Sequence, residues 1–573
     1  MQKMTIIIVV LGCLVTGCCN TCKNQAVKEE KMTAPKEAPE DGEAQLKKFI
    51  ERHVAKVAPM NKQLNLTYWD ATTTGNKDAY AKTSQLEIEI RKLYSGADDF
   101  AFLKKMREEK KIKDPILQRQ LEILYLNFEE NQIDPVLMEK MVKLSTEVQK
   151  TFNDFRGTID GKQVTDNDIY DILKSSKDSA ERKQAWLAYK TRGALVRDRV
   201  VTLAKLRNQA AKSLGYRNFY EMRLKFIEQD PVQIKKIFDD LAAQTDKPFA
   251  ELMTKVNAVL AKRYKIKPED LRAWHYEDPF FQEAPSVGKV DLDPLFEDAD
   301  QKAIVNDYFK GIGLDPSDIL ERSDLFEKKG KMPHAYCIDV DRTGDIRILA
   351  NLRPSEKWTS TLMHEMGHAV YDKFIDAQLP WLLREAAHSF TTEAVAMFFG
   401  RLTRNPDWLA GMLKLADDKI APLREDLKFQ LRLSMLIMAR WTMVVVHFER
   451  ELYANPDQDL NKLWWDLKKR YQLLTPPEGR NAPDWASKIH IAAWPVYYHN
   501  YMLGEMMASQ LHAYLAKQLG KDKDLTFVGQ TEIGKFMKEK IFKPGKNLGW
   551  DELLKSATAE SLNPKYFSEQ FVK

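Results

Sequence analysis

Two histidines four residues apart, His364 and His368, with Glu365 directly after the first, stand in the stretch TLMHEMGHAVYDK at 361–373. On a helix, positions i and i+4 share one face, so both imidazoles reach one metal, and the carboxylate at i+1 reaches a water beside it. The chemistry this suits is metal-assisted hydrolysis. Zinc on three protein ligands keeps a position for water, lowers that water's pKa to about 7 and polarises a carbonyl, while a nearby carboxylate carries the proton. The competing reading is an amphipathic helix that holds these residues by chance. Met363, Met366, Val370 and Tyr371 weigh against it. They surround the triplet with apolar side chains, and burying His-Glu-His without a partner is costly.

A third ligand has to come from elsewhere. The metzincin pattern needs a glycine three residues after the second histidine and a histidine three further on, and here those positions are Tyr371 and Phe374. Downstream, in LLREAAHSFTTEAVAMFFGRL, Glu393 is a carboxylate in an apolar, helix-like run, which makes it the expected third ligand. His388 is the runner-up and Glu385 the next candidate, while Thr391 or Thr392 reads as a helix cap.

The elements that would position these residues are helical. Leucine, alanine, lysine, glutamate and methionine recur at three- and four-residue spacing, as in AQLKKFIERHVAKV and in the long run from DILKSS to AAKSLG. At 573 residues the chain is long enough for a large core, and it carries no solenoid-length repeat and no second linker, so residues 44–573 read as one folded unit. A net charge of +5 over 88 basic and 83 acidic residues, without a basic run interleaved with aromatics, gives no sign of nucleic-acid binding.

The N-terminus, MQKMTIIIVVLGCLVTGC, has one lysine, an apolar run of roughly a dozen residues and small residues before cysteine, the pattern of a signal peptide. Val15-Thr16-Gly17-Cys18 looks like a bacterial lipobox. It predicts a signal peptide at 1–17, lipidation of Cys18, a flexible polar tether over 18–43, and an extracytoplasmic protein anchored to a bacterial membrane. Cys13 offers an alternative lipidation point and a plain secretory signal another reading. Four of the five cysteines lie in the first 22 residues, leaving Cys337 alone in the body, so no disulfide is expected within it.

Several separate stretches resemble the peptidyl-dipeptidase A family, the angiotensin-converting enzyme family of zinc carboxypeptidases. HEMGH is followed by LPWLLREAA and then Glu393; LWWDLKKRYQLLTPPEGRNAPDWASKIHI, YWDATTTG, LRNQAAKSLGY and MPHAYCID are similar to family segments, in patches over roughly residues 60 to 515. The resemblance implies a mainly α, two-lobed helical ellipsoid with a deep central cleft and a few short strands near the zinc. It implies one zinc per chain on His364, His368 and Glu393, with Glu365 as general base.

It also implies that Lys488 binds the substrate's C-terminal carboxylate together with Tyr498, and that His490 and Tyr501 stabilise the transition state. An extra residue before the tyrosines makes Tyr497 a rival to Tyr498. His334 and Ala335 would bind the substrate backbone through an edge strand. Two departures stand out. Asn500 replaces a chloride-binding arginine, making chloride activation doubtful, and Tyr276 falls where the family has a carboxylate-gripping glutamine. The implied activity is removal of dipeptides from oligopeptides with a free C-terminus. The 25-residue spacing from His368 to Glu393 also fits thimet oligopeptidase-like enzymes, and a lipoprotein that only binds peptides is a third reading.

Overall fold

The computed structural model describes residues 41–288, 290–520 and 526–572. The signal peptide, Cys18 and all but the last residues of the expected tether lie outside them. Helices dominate, as the three- and four-residue periodicity predicts. The first, α1 (Gly42–Thr74), starts two residues earlier than expected. Long helices α2 (Ser179–Ser213) and α3 (Pro231–Tyr264) follow, capped by the carboxylates of Asp178 and Asp230. Two antiparallel hairpins interrupt the helices. One pairs β1 (Gly157–Ile159) with β2 (Lys162–Val164), and the other pairs β3 (Tyr336–Asp339) with β4 (Ile346–Leu349).

The principal apolar cluster runs from Val148 to Phe571 and includes the zinc-motif helix. Residues of α1 pack in smaller clusters, one of which joins Tyr68 to Tyr336 and Leu349. α6 (Arg424–Ala454) crosses the interior. The helical stretch Asp417–Ala454 that contains it has the length and composition to cross a bilayer, yet 72% of its most apolar window is buried, as in a core helix.

Three helices meet at the motif. α4 (Glu356–Lys373) carries it and begins at Ser355, whose hydroxyl accepts the Trp358 N–H at 3.3 Å. α5 (Ser389–Gly400) packs on α4, and α8 (His499–Gln518) packs on α5. Glycine sets the approach. A Cβ on Gly367 would sit 2.7 Å from the Ala396 Cα, closer than any side chain tolerates, and one on Gly504 would come within 3.1 Å of the Met397 sulfur. α4 and α5 therefore touch backbone to backbone within the metal motif itself, at the residue before His368.

The hairpin is placed by α1. Tyr68 packs its ring on Tyr336 at 5.4 Å between centroids, Thr72 and Tyr336 share a hydroxyl hydrogen bond of 2.6 Å, and Asn65 donates to the carbonyls of Asp339 and Val340. Lys331 donates to the Asp324 and Phe326 carbonyls and the Asp324 carboxylate, which anchors the approach to β3.

Candidate active site

The helix crossing assembles the expected triad. Donor atoms of His364, His368 and Glu393 lie within 4.8 Å of one another, on α4 and α5. Nε2 of His364 is 3.6 Å and Nε2 of His368 is 3.9 Å from Glu393 Oε2, and the two rings stand nearly perpendicular, 4.9 Å apart. Bonds of about 2.0–2.2 Å put neighbouring donors of a tetrahedral zinc site about 3.4 Å apart, so small side-chain adjustments close this cluster on an ion. Two imidazoles and one carboxylate are a donor set that leaves a position for water. Glu365 sits on the same helix, 2% exposed.

The other two candidates for third ligand have different work. Glu385 is ion-paired with Arg342 and with Lys546 at 3.1 Å. His388 caps α5: its Nδ1 accepts the Phe390 N–H at 3.0 Å, and burial pushes it down to about 4. The cap residue is a histidine, and Thr391 completes the capping box by accepting the His388 N–H at 3.1 Å. Thr392 serves the site instead, its hydroxyl 2.8 Å from His368 Nδ1, which leaves His368 Nε2 directed at the triad.

A second group of residues lies along the segment leading into α8. Lys488 is 8% exposed, and its ammonium donates to Gln282 Oε1 at 2.6 Å beside the faces of Phe280, Trp441 and Tyr498. Burial lowers it to about 8, against the raising pull of Asp278 and Glu283. Gln282, which the sequence reading did not single out, is the side chain that lies against Lys488. Tyr276, the matched position, turns its hydroxyl to Asn257 at 3.0 Å. Two residues on, Asp278 accepts the N–H groups of Phe280, Gln282 and Glu283 and shapes an irregular turn, which presents Gln282 to Lys488. The Asp-Pro start of the turn is visible in the sequence, but what the turn faces is not.

The two tyrosine candidates separate cleanly. Tyr498 belongs with Lys488, and its hydroxyl accepts the Trp441 Nε1–H at 2.7 Å. Tyr497 lies on the metal side, hydrogen-bonded to Ser389 and raised by burial and then by the Glu393 carboxylate. Tyr501 contacts both rings, at 5.3 and 5.5 Å. His490 packs on Tyr498 at 5.2 Å; burial and the Lys488 ammonium push it down to about 3, so its imidazole is neutral at physiological pH. Asn500 sits in an uncharged buried network: Gln229 donates to its Oδ1 at 2.8 Å and meets His499 Nε2 at 2.6 Å.

His334 is exposed and Ala335 buried, immediately before β3. Asp324 donates to the Ile348 carbonyl and accepts from Ala350, so 347 and 349 face β3 and pair with Ile338 and Tyr336. Alternation then points the amide and carbonyl of Ala335 to the edge of β3 away from β4.

Replacing Thr392 by valine removes the Nδ1 partner with little change of shape. Zinc affinity, measured by chelator competition, is expected to fall about 10–100-fold. Unchanged affinity would show that packing alone orients His368.

A family model described as angiotensin-converting enzyme matches residues 40–273 and 293–569. The angiotensin-converting enzyme of Theromyzon tessulatum is 24% identical over 436 residues, covering 70% of each chain. That of Haematobia irritans exigua is 22% identical over 448 residues, 71% of this chain and 72% of its own. The enzyme of Rattus norvegicus is 22% identical over 445 residues, 71% of this chain and 33% of its own. With the family model spanning nearly the whole described chain, this protein belongs to the angiotensin-converting enzyme family of peptidases.

Proposed function

We propose that the chain is a zinc-dependent peptidyl-dipeptidase that releases C-terminal dipeptides from oligopeptides. Family membership supports the coarser statement, a zinc metallopeptidase acting on peptides. One observation carries the finer one. Lys488, Gln282 and Tyr498 form a buried cluster, and ring contacts through Tyr501 lead from it to Tyr497, which feels the Glu393 carboxylate. A free C-terminus gripped there puts the bond two residues back, about 7 Å away, towards the metal triad.

His364, His368 and Glu393 would hold the zinc, which when bound supplies Lewis acidity that lowers a water's pKa and polarises the scissile carbonyl. Glu365 takes the attacking water's proton and returns it to the departing amine. Tyr501 donates its O–H, and His490 a neutral ring N–H, to the carbonyl oxygen as it gains charge. Lys488 contributes the full positive charge that a carboxylate needs, with Gln282 and Tyr498 adding hydrogen bonds. The edge of β3 at Ala335, with His334 beside it, accepts an extended substrate backbone. Gln282 beside Lys488 supports the enzymatic reading over a binder only, because it offers an amide to a bound carboxylate from another position.

A peptide with a free C-terminus is expected to be cleaved at least tenfold faster than its amidated twin, with dipeptides as the products by mass spectrometry. Equal cleavage of both would mean an oligopeptidase. Glu365→Gln is expected to lose about 10²–10⁴-fold in kcat with zinc retained, because the proton carrier is gone.

The ammonium of Lys488 is the binding form and is lost as pH rises through about 8. kcat/KM for free-C-terminus peptides should therefore fall above pH 8, approaching tenfold per unit, while cleavage of amidated peptides lacks that limb. A pH profile in which both substrates behave alike would remove Lys488 from carboxylate recognition.

The N-terminal pattern supports an extracytoplasmic protein lipid-anchored at Cys18. Cys18→Ala is expected to abolish incorporation of labelled palmitate and to move the protein out of the membrane fraction. A variant that still labels and still sediments with membranes would reject the anchor.

A further inference from the structure

The stretch from the short helix α7 (Ile489–Ala493) into the first turn of α8 carries His490, Tyr497, Tyr498 and Tyr501, and it bends at Val496. Val496 has φ of +54°. A β-branched residue in left-handed backbone is strained and persists only where its surroundings hold it. Two buried side chains hold this turn from behind. Glu449 on α6, 2% exposed, accepts the Val496 N–H at 2.8 Å. Arg207 on α2 donates to the Ala492 carbonyl at 2.6 Å and to the Tyr453 hydroxyl, one turn from Glu449, at 3.1 Å. Burial raises the Glu449 carboxyl to about 8, so it is mostly neutral at pH 7 and its oxygen serves as a hydrogen-bond acceptor.

We propose that Glu449 is a positioning residue for the reaction: by holding the Val496 amide it keeps the turn left-handed and so sets where Tyr498 and Tyr501 stand. The proposal rests on the peptidase reading above. α6 thereby touches the turn twice, since Trp441 on the same helix also binds the Tyr498 hydroxyl. Glu449 touches neither substrate nor metal in this account, and its effect passes through the backbone.

The test uses the full-length chain as wild type, Glu449→Met, Val496→Gly and the double variant, with Glu449→Gln as the conservative control. Methionine keeps the length and lacks the oxygen; glycine adopts φ of +54° without help. E449M is expected to lower kcat/KM at least tenfold, mainly through kcat, with zinc content unchanged. In the V496G background the same change should cost less than threefold, and E449Q should stay within threefold of wild type. Equal losses in both backgrounds, or wild-type activity in E449M, would overturn the positioning role. If E449M alone does not fold, recovery of folding in the double variant supports the proposal and its absence overturns it. A wild type inactive on every peptide overturns the peptidase reading instead, and the same four proteins, compared by unfolding midpoint, then read directly whether Glu449 holds Val496.

Discussion

The site depends on one close contact, the backbone of α4 against that of α5 at Gly367 and Ala396. Zinc donors must converge to within a few ångströms, and two of them come from one helix and the third from another. With a side chain at the crossing, Glu393 would stand too far from the imidazoles. Gly504 brings α8 onto α5 less tightly, against the Met397 sulfur and the Ala394 amide, so the tyrosines at the start of α8 are referenced to the same three-helix junction. Around it Leu362, Met363, Met366, Ala394 and Val395 are completely buried, so the donors move little.

The Lys488 side of the site faces a different problem, charge in a dry interior. Lys190, Lys468 and Lys488 are all nearly inaccessible, and burial lowers all three. What keeps them tolerable is a set of partners with oxygen or π faces. The Lys190 ammonium lies 3.5 Å from the Phe280 ring centroid and 3.2 Å from Ser487 Oγ, and Lys468 donates to the Phe280 carbonyl. Asp484, held by Arg480 and Trp465, supplies negative charge nearby. Lys488 has one neutral hydrogen-bond partner, Gln282, and aromatic faces around it. An ammonium so placed gains more from a carboxylate than one in water does.

Rigid helices and irregular turns divide the work. The metal ligands and Glu365 stand on helices packed on nearly every side. Gln282, His334 and Tyr498 stand on turns that other groups hold: Asp278 shapes one, Lys331 another, and Glu449 with Arg207 the third. Phe281 and Val496 both take left-handed backbone in such turns. Non-glycine residues in that region concentrate where the surroundings over-determine the chain.

The metal half of the site was legible in the sequence because it is local. Four-residue spacing puts His364 and His368 on one face whatever the rest of the chain does, and Glu393 stood out as a charge in an apolar helix. The helical class followed from periodicity in the same way, and short strands appeared beside the motif as the resemblance implied. Thr392 was noticed and given the wrong task, since a hydroxyl at a helix start suits a cap and only the α4–α5 crossing shows that His368 is its partner. Gln282 was missed altogether. It lies 206 residues from Lys488, in a turn without period or pattern. Sequence by itself determined which segments are helical and that His364 and His368 share a helix face, because both are set by neighbours a few residues away. Only the tertiary structure set Tyr498 beside Lys488 and Tyr497 on the Glu393 side, brought Gln282 to Lys488 and connected Glu449 to Val496. Those pairings are made by long-range packing, and no spacing along the chain encodes them.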